Sequence, residues 1–289
     1  MSRARRLRGQ PVAATVREAV RGRIADLDTP PTLATVMMSD DASDERFVAL
    51  KHDACAEVGI DVVDRRLAPD APASRLHRTL DELASDSTVD AVFVQVPLPD
   101  HVALNEVRRR LDPETDVDCF HPTNLGRLVA GNPRYVPATP AAVGRILAAY
   151  DVPVAGREVV VVGRSEAIGK PLANHLLRRG PGGDATVTVC HSRTPDLGRA
   201  TRRADVLVTA CGVPELVTEE MLSPGVVVID VSANRRTVEG ETTVVGDVDH
   251  ESAAAVAAAI TPVPGGIGPV TLAMLTQNVV RAAERRVGT

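Results

Sequence analysis

The order of apolar patterns predicts an α/β fold of two domains. Strand patterns alternate with amphipathic helix patterns, which implies right-handed crossovers and mostly parallel sheets. The alternation runs in two series on either side of a loop-rich stretch from Asp116 to Pro140, and the second series holds enough strand candidates for an open sheet of its own. A single barrel of repeated strand and helix units is the competing arrangement.

In the first series, VAATVREAVRGRIADL between Pro11 and Leu27 has helical periodicity, and TLATVMMS from Thr32 reads as a buried strand. A helix from about Glu45 to Val58 precedes the strand DVVDRRL, and a helix near Ser74 to Ser85 precedes the strand VDAVFVQVPLP. NEVRRRLD, near Asn105, is a further helix. Beyond the loop, PAAVGRILAAY is a helix ending at Tyr150, followed by the apolar strand EVVVVG ending at Gly163 and by the strands TVTVCH, DVLVTA and VVVIDVS. TPVPGGIGPV is a turn cluster, and a last helix from Thr271 to Arg285 is expected to pack back on the first domain. The boundaries this implies are 1–139 with 270–289 for one domain and 140–269 for the other.

Composition narrows the function. The 33 basic and 38 acidic residues leave a net charge of −5 and are scattered along all 289 residues, whereas a nucleic-acid binder needs a concentrated basic face. No apolar run approaches the roughly 20 residues of a membrane-spanning helix. Aromatic residues are 2% of the chain with no Trp, which argues against base-stacking platforms and leaves Val, Leu, Ile and Ala to form the core. Cys55, Cys119, Cys190 and Cys211 form no Cys-x-x-Cys pair and read as reduced thiols of a cytoplasmic protein; no metal site is indicated. The Arg-rich opening MSRARRLRGQ lacks the Ser-rich continuation of a transit peptide and reads as a short solvated tail.

In VVVVGRSEAIGKPLANHLL a buried strand ends at Gly163 and a helix begins near Gly169, so the loop presents free backbone N–H groups to a phosphate. The spacing Gly163-x-Ser165-x-x-x-Gly169 departs from G-x-G-x-x-G and fits an ordinary strand-to-helix turn as well. After the next strand, TVTVCHSRT offers His191, Ser192, Arg193 and Thr194, with no carboxylate before Asp196. A hydroxyl beside a guanidinium suits a 2′-phosphate, so with Arg164 on the neighbouring loop NADP is favoured over NAD.

Three separated segments resemble the bifunctional methylenetetrahydrofolate dehydrogenase/cyclohydrolase family. VVGRSEAIGKP resembles its cofactor loop, PGGIGPVT from Pro264 to Thr271 its most specific signature, and FVQVPLP with DVDCFHPTNLGRL its folate-site segments. The resemblance spans nearly the whole chain. It implies two α/β domains around a cleft, the second Rossmann-like and dinucleotide-binding, and a homodimer. It also implies NADP-dependent oxidation of 5,10-methylenetetrahydrofolate to the methenyl form, followed by hydrolysis to 10-formyltetrahydrofolate. The family's Tyr, a Lys four residues later, Gln and Asp match Phe47, Lys51, Gln95 and Asp118 here. Lys51, Gln95 and Asp118 are then expected to be catalytic, joined in substrate binding by Phe47, Pro264, Gly265 and Gly266. Cofactor contacts are expected at Gly163, Arg164, Ser165, Ile168, Gly169, His191, Ser192, Arg193 and Ala233.

Residues four apart share a helix face, so Phe47 and Lys51 can point the same way. Spacing alone allows blander roles: a core aromatic for Phe47, a surface cation for Lys51, a buried amide satisfying backbone for Gln95 and a turn cap for Asp118. Three departures from the family pattern stand out. Phe47 replaces Tyr and loses its hydroxyl, Cys119 replaces the glycine after Asp118, and Ser232 stands where Gly is frequent. The lost Phe47 hydroxyl bears on the hydrolytic half, Cys119 on the pterin pocket, and Ser232 stands beside the region expected to border the nicotinamide; the rival readings are a non-redox folate hydrolase and a paralogue that binds folate or nucleotide without turnover.

Overall fold

The computed structural model describes residues 4–238 and 241–287. They fall into two units, Ala14–Ala138 with Leu272–Thr289 and Met1–Ala13 with Thr139–Thr271.

In the first of these the strand Thr32–Met37 lies between Asp61–Arg66 and Ala91–Val94, all three parallel. The edge strand DVVDRR has four charged residues of six and is largely exposed, while the central TLATVM and the opposite edge AVFV are buried along almost their whole length. Ala34, Val36 and Met38 pack with Val92 and Val94 of the neighbouring strand and with Leu76, Leu80 and Val107 from the flanking helices Ala73–Ser85 and Leu104–Arg110. The helix Ala42–Val58 begins at Asp41, whose side chain accepts hydrogen bonds from the N–H groups of Ser43 and Asp44, a local reason for it to start there.

The last helix, Ile267–Val287, returns its C-terminal part to this unit, as expected, though it starts inside the turn cluster rather than at Thr271. Buried Asn278 ties it down, donating its amide hydrogens to the carbonyls of Val117 and Val136, each at 2.9 Å. Arg23 and Glu284 add a forked ion pair with contacts of 2.8 and 2.6 Å.

The second unit holds a six-stranded parallel sheet in the order Arg5–Arg6, Ala259–Ile260, Val227–Asp230, Val206–Thr209, Glu158–Val162, Thr186–Cys190. Val160, Val162, Leu207, Val228 and Ile260 form its core. Two separate open sheets dispose of the single-barrel alternative.

Several elements differ from expectation. Arg5 and Arg6 are an edge strand paired with Ala259 and Ile260, not a solvated tail, and this pairing carries the opening residues into the second unit. Backbone pairing needs no apolar side chain at an edge, so the Arg-rich run gave no hint of it. The stretch from Asp116 to Pro140 contains a helix, Pro122–Val129, opened by His121 and a proline at its start. The hairpin Asn234–Val238 with Glu241–Val245 and the helix His250–Val256 were also not foreseen. The four cysteines are free thiols, as expected.

Asn278→Ala should lower stability by about 2 kcal/mol, because two carbonyls lose their donors in a buried setting. Urea unfolding of the variant against the parent measures it.

Candidate active site

A parallel sheet gathers polar groups where neighbouring strands end and the strand order reverses. In the three-stranded sheet that place lies beyond Met37 and Val94, and there the chain sets Ser39 and Gln95. The helix Ala42–Val58 follows at once and presents Asp44, Phe47 and Lys51, spaced three and four residues apart, along one face.

Lys51 Nζ donates to Gln95 Oε1 and to the Phe47 carbonyl, both at 3.4 Å, and lies 4.4 Å from the centre of the Phe93 ring and 5.9 Å from that of Phe47. Burial pulls the Lys51 pKa below its ordinary value, and the negative charges of Asp118 and Asp44 oppose the pull without cancelling it. Gln95 is buried, and its Nε2 donates to Asp44 Oδ1 at 2.9 Å and to the Val96 carbonyl at 2.8 Å. Phe47 is 51% exposed, so it is neither a core aromatic nor spent on packing.

Asp116 and Asp118 sit two residues apart and differ sharply in what they hold. Asp116 is buried and accepts from the N–H groups of Phe120 and His121 and from Asn124 Nδ2, at 2.9, 2.8 and 2.8 Å, which fixes the loop into the helix Pro122–Val129. Asp118 accepts one long hydrogen bond, from the Ala138 N–H at 3.4 Å. Burial raises its pKa to about 6, with the Ala138 bond and Lys51 working the other way and Asp116 adding to the rise. Its carboxyl is thus largely unspent. Cys119 has a left-handed backbone, φ 56°, and turns its thiol inward to the Tyr135 carbonyl at 3.2 Å.

The second unit presents its own strand ends. Gly163 closes Glu158–Val162 with φ 132°, and a Cβ there would lie 2.3 Å from the Ala210 carbonyl oxygen at the end of the neighbouring strand. A Cβ on Gly169 would lie 2.2 Å from the Gly163 oxygen. Between them, Ser165 Oγ accepts from the N–H groups of Ile168 and Gly169 at 3.2 and 3.3 Å, and Arg164 is exposed. The loop is therefore folded close on itself at the first turn of the helix Gly169–Leu177.

After Thr186–Cys190 a tight turn forms in which His191 N–H donates to Thr194 Oγ1 at 2.9 Å and Arg193 N–H to His191 Nδ1 at 3.1 Å. It leaves Ser192 and Arg193 exposed. Asp196 caps the next helix by accepting from the Arg199 N–H at 2.8 Å, so this carboxylate is committed elsewhere. Ser232 donates to Asp247 Oδ2 at 2.7 Å, and Ala233 beside it is exposed. Pro264 and Gly265 are exposed in the turn before the last helix, where the Gly265 carbonyl accepts from the Gly9 N–H at 2.8 Å and Gly266 is buried.

The structure thus brings Phe47, Lys51, Gln95 and Asp118 together in one unit, and Gly163, Arg164, Ser165, Ile168 and Gly169 on one loop of the other. Asp44 escaped sequence reasoning. Its place three residues before Phe47 and seven before Lys51 was the available signal. Among the described residues no cluster of His, Cys, Asp and Glu could hold a metal ion, and no helix is long and apolar enough to cross a membrane.

Residues 7–118 match the family model for the tetrahydrofolate dehydrogenase/cyclohydrolase catalytic domain, and residues 137–287 match the model for the NAD(P)-binding domain of the same family. The bifunctional protein FolD of Haloquadratum walsbyi is 52% identical over 95% of this chain and 89% of its own length. That of Halobacterium salinarum is 50% identical over 97% and 96%. Among solved structures, the methylenetetrahydrofolate dehydrogenase-cyclohydrolase of Trypanosoma brucei, complexed with NADP cofactor and inhibitor, superposes with a TM-score of 0.94 at 34% identity, covering all of both chains. Shikimate 5-dehydrogenase of Listeria monocytogenes, at 13% identity and a TM-score of 0.56 over 89% of this chain and 93% of its own, shares the fold alone.

Proposed function

The chain belongs to the tetrahydrofolate dehydrogenase/cyclohydrolase family, and from that premise we propose which of its side chains serve each reaction. The protein oxidises 5,10-methylenetetrahydrofolate to 5,10-methenyltetrahydrofolate with NADP and hydrolyses the product to 10-formyltetrahydrofolate. One observation carries the assignment of roles: Lys51 Nζ is held by Gln95 Oε1 on a partly desolvated face beside the unspent carboxyl of Asp118.

In the first reaction a hydride leaves the methylene carbon, and the resulting cation is shared by its two flanking nitrogens. No protein base is needed, so catalysis is positioning. Asp118 accepts two hydrogen bonds from the amino and ring N–H donors of the pterin, and Phe47 offers its exposed ring to the same ligand.

The loop from Gly163 to Gly169 fits a dinucleotide, since side chains at its two glycines would fill the space that lets the backbone fold so closely. When bound, NADP supplies the hydride acceptor. Ser192 and Arg193, in a turn whose nearby carboxylate is occupied as a helix cap, support the 2′-phosphate over a free 2′-hydroxyl. Pro264, Gly265, Gly266 and Ala233 are read as backbone-lined contacts for folate and cofactor.

In the second reaction water adds to the methenyl carbon. Lys51, whose pKa burial lowers, takes one proton from that water and returns it to the ring nitrogen as its bond to the one-carbon unit breaks, while the remaining hydroxyl proton of the adduct is released to solvent as the formyl carbonyl forms. Gln95 holds the amine in place by accepting from it. We read the protein as a cytoplasmic homodimer, a reading supported by the family resemblance and checked by light scattering.

Incubating the purified protein with 5,10-methylenetetrahydrofolate and either NADP or NAD, then quantifying methenyl and 10-formyl products against an enzyme-free control, tests the whole assignment. Absence of both products with either dinucleotide would overturn it. Lys51→Met should cut enzymatic hydrolysis by at least about 100-fold while folate binding persists, measured by ligand titration. Phe47→Tyr should raise hydrolytic turnover about fivefold, the worth of one added hydrogen bond at Lys51. For Arg193→Ala the expected change is a KM for NADP raised about tenfold with that for NAD little altered, read from initial rates with each dinucleotide.

A further inference from the structure

Asp44 looks at first like an ordinary acid in the first turn of a helix, where a carboxylate complements the helix dipole. Its surroundings say more. The capping work is done by Asp41, and Asp44 is only 8% exposed. Its two oxygens are spent inward: Ser39 Oγ donates to Oδ2 at 2.7 Å, and Gln95 Nε2 donates to Oδ1 at 2.9 Å.

The second hydrogen of the Gln95 amide goes to the Val96 carbonyl at 2.8 Å. With both amide hydrogens so placed, Oε1 is the atom left to meet Lys51 Nζ at 3.4 Å. A flipped amide would set Oε1 against two acceptors, Asp44 Oδ1 and the Val96 carbonyl, and turn N–H donors toward an amine or ammonium. Asp44 thereby decides which end of Gln95 faces Lys51. The groups that act on Lys51 are the carboxylates of Asp118 and Asp44, the oxygens of Gln95 and the Phe47 backbone, and the rings of Phe93 and Phe47.

We propose that Asp44 is a positioning residue of the hydrolytic step, which fixes the Gln95 oxygen on Lys51. The proposal rests on the reading of Lys51 as the group that exchanges protons with water and the ring nitrogen. The sign of the effect follows from the charges. Burial lowers the Lys51 pKa and Asp44 raises it, so removing the Asp44 charge lets it fall further. Hydrolysis that needs the neutral amine rises with pH through that pKa, and its rising limb therefore moves to lower pH.

The test compares Asp44→Asn, which removes charge at constant size, with Asp44→Ala, which also frees Gln95, using Gln95→Ala and Lys51→Met as references. Hydrolysis of 5,10-methenyltetrahydrofolate is followed from about pH 5.5 to 9, corrected for the spontaneous reaction, together with dehydrogenase turnover and thermal unfolding. In Asp44→Asn the rising limb should shift down by about one pH unit. In Asp44→Ala the ratio of hydrolytic to dehydrogenase kcat should fall about tenfold, with a much smaller change in the KM for folate. A purely structural acid would lower the melting temperature and leave both the limb and the ratio in place, and that result overturns the proposal. If Asp44→Ala does not fold, the limb of Asp44→Asn decides alone. Unchanged hydrolysis in Gln95→Ala and Lys51→Met would instead remove the underlying reading of Lys51, an outcome separate from failure at Asp44.

Discussion

Parallel strands all finish on the same edge of their sheet, and where strand order reverses the connections diverge and leave room between the ends. Both sheets of this protein obey that constraint. In the three-stranded sheet the central Thr32–Met37 sends its chain one way to the helix Ala42–Val58, while Ala91–Val94 ends beside it in Gln95. In the six-stranded sheet the paired Glu158–Val162 and Val206–Thr209 end in Gly163 and Ala210, so close that a single Cβ would collide. The polar groups of the reaction and the loop that suits the cofactor occupy equivalent places in two different sheets for one topological reason.

Within the catalytic unit, the fold separates charges that stabilise from charges that remain available. Asp116 has its carboxylate filled by two backbone N–H groups and the Asn124 amide, and it serves the loop. Asp118, two residues on, has the Ala138 N–H at long range, and burial raises its pKa to about 6 because little else compensates it. Lys51 is governed by the same opposition of burial and charge. Its Nζ lies over the Phe93 ring, which shields the amine from water on that side. That leaves the carboxylates and the Gln95 oxygen to set its proton affinity.

How much of this was legible depended on which physics left a trace in the sequence. Alternating apolar strands and amphipathic helices write the two-sheet organisation plainly, since burial is periodic. Lys51, Gln95 and Asp118 were singled out through motif resemblance, because residue type alone cannot distinguish an exposed lysine from one set over an aromatic ring. Arg5 and Arg6 were misread because edge pairing is a backbone affair. The helix Pro122–Val129 was hidden by its shortness, two turns opened by His121 in a stretch dense with turn formers. Asp44 was hidden differently: an acid at a helix start has an ordinary explanation, and only the placement of Ser39 and Gln95 around it reveals another.

The two reactions draw on different resources of the same chain, and the departures from the family pattern touch both. Hydride transfer asks for positioning, which backbone geometry provides at Gly163, Gly169 and the turn of Ser192 and Arg193, while Cys119 adjoins Asp118 and Ser232 adjoins Ala233. Hydrolysis asks for a proton to be taken and given back, and that depends on the few groups that hold Lys51. Phe47 gives Lys51 a ring and a backbone carbonyl but no hydroxyl, so the Asp44–Gln95 pair carries more of the work of orienting the amine. Cys119 faces the Tyr135 carbonyl, away from this exchange, and its left-handed backbone is held by that buried contact. On the proposed roles of Lys51 and Asp44, the balance between the two activities rests chiefly on the short hydrogen-bonded path from Ser39 through Asp44 and Gln95 to Lys51.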